Sequence, residues 1–162
     1  MEIKVTRSKR RLRTVSARLV DKTLLVSAPL MLSQERLDKI VEDFRAKFAR
    51  KIIKDELGRS DNLLERARRI NARFFDNKLK LNSIEYVADQ NCKFGCCNYR
   101  SANIRISHKI GLMPEWVRDY VVLHEMAHLI EPNHSRAFWE IVSRYKLAEK
   151  AKGFLIGTSF KG

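Results

Sequence analysis

The stretch from residue 114 to 134 limits the possible folds more than any other part of this chain. Pro114 suits the first turn of a helix, where its missing N–H costs nothing. Trp116, Val117, Tyr120, Val121, Leu123, Met126, Ala127 and Ile130 make that helix apolar over much of its circumference. Such a helix belongs at the centre of a domain. Yet it carries His124, Glu125 and His128 in the order H-E-x-x-H, and Pro132 is expected to end it just before His134.

The chain has four histidines, His108, His124, His128 and His134, three of them within eleven residues. Residues i and i+4 of a helix differ by about 40° around its axis. His124 and His128 therefore face the same way, one turn apart, and can share one Zn²⁺. A helix broken at Pro132 lets the chain turn back and bring His134 in as a third ligand. Three neutral imidazoles leave the metal a net charge and one open position, where a water would have its pKa lowered toward about 7. Glu125 is placed to take that water's proton and deliver it to a leaving group. This is machinery for hydrolysing an amide. Glu131, three residues after His128 on the same face, competes with His134 as a ligand, or hydrogen-bonds a ligand instead. His134 is the preferred third ligand. His108 lies at a strand end, outside the cluster, and is read as a surface residue. Tyr120 and Tyr145 are candidate oxyanion donors without a spacing argument.

Around this helix the pattern reads as α+β, with a small, mostly antiparallel sheet packed on helices. Residues 2–7, 13–20 and 23–28 are strand-like, and Asp21-Lys22 between the last two predicts an N-terminal β-hairpin. Ser33 is a plausible helix cap, followed by an apolar stripe of Leu37, Ile40, Val41, Phe44, Phe48 and Ile52, with Gly58 as a stop. Asp61 is expected to cap a second helix. Residues 83–88 and 102–107 alternate at period two and read as strands joined by a Cys-rich segment. A last helix is expected near His134 or Ser135, with Phe138, Ile141, Val142 and Tyr145 on one side. The tail from Gly153 carries no clear signal. One domain over 1–162 is expected: the basic hairpin in 1–30, two helices in 33–77, and strands with the metal-site helices in 83–147.

Charge adds a second theme. The chain has 33 Lys+Arg against 19 Asp+Glu, a formal net charge of +14. Eight basic residues (Lys4, Arg7, Lys9, Arg10, Arg11, Arg13, Arg18 and Lys22) fall in the first 22, against Glu2 and Asp21. Such a field attracts polyanions. An alternative reading follows: a nucleic-acid-associated protein working through this basic region, with a structural or vestigial metal site. The cysteines, Cys92, Cys96 and Cys97, are odd in number and lack a second ligand pair at zinc-finger spacing. They are expected to be buried or partly buried free thiols, although a fourth ligand from among them stays open. No apolar run reaches the roughly 18 residues of a membrane helix, and no signal-peptide pattern opens the chain. A cytoplasmic protein is expected.

The run Tyr120-Val121-Val122-Leu123-His124-Glu125-Met126-Ala127-His128-Leu129, with Pro132-Asn133-His134-Ser135 and Phe138-Trp139 after it, resembles the YgjP-like metallopeptidase-domain family, relatives of the SprT-like and WLM zincins. Phe94-Gly95-Cys96-Cys97 looks like that family's W-G-S-C element, with Phe for Trp and Cys for Ser. Asn103-Ile104-Arg105-Ile106-Ser107 looks like the strand after it, and Arg7-Ser8-Lys9-Arg10-Arg11 like its basic opening. The resemblance implies a zincin-like fold and a zinc-dependent peptidase acting on peptides or proteins. It implies ligands at His124, His128 and His134 and a general base at Glu125. It also implies that strand 102–107 is the edge lining the cleft, able to pair with an extended peptide. Hydrolysis of a non-peptide amide or ester would use the same residues.

Overall fold

A computed structural model describes residues 2–88 and 94–159. The chain divides into two compact units, Met1–Ile52 and Ile53–Gly162, with the boundary inside one helix.

The first unit is a three-stranded sheet followed by the start of that helix. Strands β1 (Glu2–Ser8), β2 (Ser16–Val20) and β3 (Thr23–Pro29) lie in the order β1-β3-β2. The expected hairpin joins β2 to β3. Its two turn residues, Asp21 and Lys22, both have positive φ (45° and 66°), the requirement of a tight turn whose twist matches the strands. Leu24, Val26 and Ala28 of β3 are buried at alternate positions. Helix α1 (Gln34–Ser60) begins after Ser33 and runs through Gly58 rather than stopping there. One glycine weakens a long helix by only about 1 kcal/mol. Arg7 departs from the basic group at the N-terminus. Its guanidinium donates to the carbonyls of Leu30 (3.0 Å) and Leu32 and to Gln34 Oε1 (2.9 Å), tying β1 to the entry of α1.

The second unit holds α2 (Leu63–Phe75), β4 (Ser83–Val87), β5 (Gly95–Asn98), β6 (Asn103–Ser107), α3 (His108–Gly111), α4 (Glu115–Ala127), α5 (Arg136–Val142) and α6 (Ala148–Ser159). The residue capping α2 is Asn62, whose side chain accepts from Glu65 N at 3.1 Å, not Asp61. Asp61 is drawn into an ion cluster with Arg66 and Arg118. Helix α4 is the core: Val117, Val122, Leu123, Met126 and Ala127 are wholly buried. It touches α2, α3, α5, α6, β5 and β6.

The α+β class stands, but the strand pairing is more mixed than the pattern suggested. In each sheet the third strand enters between the first two, parallel to one and antiparallel to the other. The order β4-β6-β5 also corrects the expected edge. Strand 102–107 is central as β6, and the edge strand beside α4 is β5. The Cys-rich segment was read as a connection, and pairing with β6 makes part of it a strand. Ser107 N donates to Phe94 O at 2.9 Å. Antiparallel pairing alternates, so Gly95 and Cys97 turn their N–H and C=O groups away from β6. No helix among the described residues is long and apolar enough to cross a membrane.

Candidate metal centre

Helix α4 ends at Ala127, earlier than Pro132 alone would require, with His128 as its capping residue. The next residues form tight turns, Leu129 N to Met126 O (3.1 Å) and Ile130 N to Ala127 O (3.0 Å). The chain then reverses into α5, capped by Ser135, whose side chain accepts from Phe138 N at 3.3 Å. This reversal carries His134 back over α4.

Among the described residues, His124, His128 and His134 converge, with one ring nitrogen from each lying within 4.8 Å of the others. His124 Nε2 and His134 Nε2 are 3.1 Å apart. Two nitrogens bound tetrahedrally at 2.0–2.1 Å would be separated by about 3.3 Å, so this pair fits a shared cation closely. His128 Nδ1 lies 3.0 Å from the Glu131 carbonyl oxygen. Donation there leaves Nε2 with its lone pair. Glu131 thus meets a histidine through its backbone, while its carboxylate accepts from Ser135 Oγ at 3.3 Å. His124 Nδ1 is buried without a hydrogen-bond partner among the described residues. Burial, then the neighbouring His128 and His134, pulls the His124 pKa down to about 4. Burial also lowers that of His128, against its hydrogen bond to Glu131. Both rings are therefore neutral near pH 7, the state that binds metal.

Helix α5 holds the rings in place, a role the sequence did not reveal. Phe138, wholly buried, stacks on His128 with centroids 4.5 Å apart, and Trp139 stacks on His134 at 5.6 Å. Their positions i+4 and i+5 from His134 were the available signal.

Glu125 is buried, 6% exposed, against the backbone of β5. A Cβ at Gly95 would lie 2.5–2.7 Å from its Oε1, Cδ and Cγ. No real side chain fits there, so glycine makes the space that the carboxylate occupies. Cys97 is half-buried, and burial followed by the Glu125 charge pushes its thiol up to about 12. Its sulfur is not among the ligand atoms that converge in the described residues. Cys96 is exposed rather than buried, and Cys92 lies outside the described residues.

The other candidates sit elsewhere. His108 is buried, not on the surface, because it opens α3 directly after β6, with Nδ1 3.3 Å from the Val87 carbonyl oxygen. Tyr145, in the turn between α5 and α6, donates its hydroxyl to Trp116 O at 3.0 Å and ties that turn to α4. Tyr120 lines the cleft beside His124 and Glu125. The opposite wall comes from Lys152, Leu155 and Ile156 of α6, in the tail that carried no clear signal. The spacing of Leu147, Ala151 and Leu155 was its trace.

No curated protein and no solved structure matches the chain significantly. The family model described as YgjP-like, metallopeptidase domain, matches residues 45–146. That span runs from within α1 to just past α5 and leaves out the first sheet and α6. Because it covers more than half of the chain, including α4 and its turn into α5, the chain belongs to the YgjP-like metallopeptidase family, which implies a divalent metal and protein or peptide substrates.

Proposed function

We propose that this protein is a zinc-dependent peptidase in which His124, His128 and His134 hold the metal and Glu125 is the general base. The convergence of three imidazoles beside one buried carboxylate carries this reading. Zinc is favoured over harder divalent ions because the donor set is all imidazole nitrogen. When bound, the metal supplies a Lewis acid that polarises the carbonyl and makes water acidic enough to attack near neutral pH.

The chain's own residues do the rest. The Glu125 carboxylate accepts a proton from the attacking water and returns it to the departing amine nitrogen as the C–N bond breaks. Its place in the β5 wall keeps that carboxylate aimed from one direction. The turned-out N–H and C=O groups of Gly95 and Cys97 suit an extended peptide added alongside β5, with main-chain bonds giving affinity regardless of sequence. Such pairing would set a backbone carbonyl across the mouth of the cleft.

The deciding experiment is metal analysis of the purified protein and of His134→Ala, followed by peptide-library cleavage with Glu125→Gln as control. We expect about one zinc per wild-type chain and much weaker retention in His134→Ala. Glu125→Gln is expected to keep the zinc and lose cleavage. A wild-type chain that takes up no zinc would overturn the reading. Zinc kept fully by His134→Ala would move the third ligand elsewhere.

A further inference from the structure

Next to the histidines lies a cavity of about 310 Å³. Its lining includes His124 and Glu125 of α4, Gly95 of β5, and Lys152, Leu155 and Ile156 of α6. The volume sits at the lower end of the roughly 300–1,000 Å³ of ligand sites. It suits one side chain rather than a folded or branched ligand. The candidate base and a candidate ligand form part of its wall, so an occupant would be attached close to the reacting bond.

The chemistry of the α6 wall is specific. Leu155 is buried and Ile156 is 52% exposed. A half-exposed isoleucine on the wall of a cavity offers apolar surface that an incoming group can cover. Lys152 supplies a cation to the same wall, and its Nζ lies 5.0 Å from the centre of the Trp139 ring that stacks on His134. Helix α6 also lies outside the span 45–146 matched by the family model.

We propose that α6 builds a specificity pocket, which takes an apolar, leucine- or phenylalanine-sized side chain flanking the bond to be cut and disfavours a basic one. The proposal rests on the peptidase reading above, and deepens it by naming the substrate class. Ile156 and Lys152 are then the specificity-determining residues: Ile156 covers the occupant, and Lys152 repels lysine and arginine.

The test separates the pocket from the metal centre. Zinc-loaded protein is titrated by calorimetry with three hydroxamic acids. Acetohydroxamic acid carries the metal-binding head and almost no tail. 4-Methylpentanohydroxamic acid adds a leucine-like tail, and 6-aminohexanohydroxamic acid adds a cationic one. We expect the leucine-like compound to bind at least about tenfold tighter than acetohydroxamic acid, and the cationic one to gain nothing. Ile156→Asp should remove most of the tenfold advantage. Ile156→Trp, which fills the cavity from the same position, should remove it as well, so the result does not hang on one variant. Lys152→Glu should raise affinity for the cationic compound severalfold. Equal binding of the first two compounds would overturn the pocket and leave the metal centre standing, as would an advantage that survives both Ile156 changes. Failure of acetohydroxamic acid to bind the zinc-loaded protein would overturn the metal reading and the pocket with it.

Discussion

Two polar clusters lie against the same helix, five residues apart along its sequence from Asp119 to His124, and they are built on opposite principles. The first joins α2, β4 and α4. Arg66 pairs with Asp61 at 2.9 Å and with Asp119, Arg118 reaches Asp61 at 3.1 Å, and the Tyr86 hydroxyl donates to Asp61. Its charges are of both signs and answer one another. The second cluster gathers His124, His128 and His134, three groups of one kind whose lone pairs converge on one point. His124 is held neutral at a pKa of about 4 by burial and by its two neighbours. In the first cluster each buried charge has its counter-charge, although Arg66 Nε and Arg118 Nε make no hydrogen bond among the described residues. An open cluster of donors is a poor structural device, since buried polar groups in folded proteins almost always find partners. It becomes a good one when a cation completes it.

That contrast can be broken most violently at Glu125. Glu125→Gln keeps the size and burial of the side chain and removes its ability to take a proton. Peptide cleavage should fall by about 10³–10⁴-fold, at the upper end of what general base catalysis contributes. Zinc content and the midpoint of urea unfolding should stay near wild type. Wild-type turnover by this variant on every cleaved peptide would remove Glu125 from the mechanism.

Asp61→Asn attacks the other cluster and should have the reverse signature. Removing one partner of a buried pair leaves its counter-charges exposed to a low dielectric, at a cost of about 3–5 kcal/mol. Urea unfolding should report that loss, while the folded fraction still binds one zinc. Acid titration gives a second view. Burial pushes the Asp61 carboxyl up, but hydrogen bonds from Tyr86 and Arg66 and the Arg66 and Arg118 charges more than offset it, so its pKa is held below 3.8. Its contribution to stability is present above that value and is lost as the pH falls through the depressed one. The wild type should therefore lose stability more steeply than Asp61→Asn below about pH 4. Parallel acid profiles for the two proteins would show that Asp61 is not held by its neighbours.

The two clusters also differ in how far the sequence revealed them. The histidines were legible because a helix converts a spacing of four into a shared direction, and because a proline between His128 and His134 announces a turn. Glu131 beside them was ambiguous, since sequence cannot say whether a residue acts through its carboxylate or its carbonyl. The ion cluster was invisible. Asp61 and Asn62 are adjacent and both are good caps, so the pattern could not tell which one caps α2 and which one meets Arg66. Helices α4 and α5 followed their apolar stripes, and the hairpin followed its turn. Strand β5 did not, because Gly95, Cys96, Cys97 and Asn98 carry no β-branched or alternating signal, and the strand exists through its pairing with β6. Helix α6 was hidden by Gly153 and Gly157, and the contacts with α4 outweigh their weak propensity. Both misses matter for the site, since these two elements supply its walls.

Gly95→Ala tests whether the open cluster depends on that β5 wall, without removing any polar group. The added methyl would stand 2.5–2.7 Å from three atoms of Glu125, and ordinary contact needs about 3.5 Å or more. Either the carboxylate or the strand must then move by about 1 Å. A shift of that size at a reacting group lowers turnover by about 100-fold, less than removal of the base itself. The three atoms nearest the added methyl all belong to Glu125 and none to a histidine, so zinc content should be unchanged, and KM should move less than kcat. The double variant Gly95→Ala/Glu125→Gln should be no slower than Glu125→Gln alone, because a displaced carboxylate cannot matter once it is gone. Additive losses in that cycle would mean that Gly95 acts on the substrate strand directly, and wild-type kcat in Gly95→Ala would mean that the carboxylate has room the packing does not suggest.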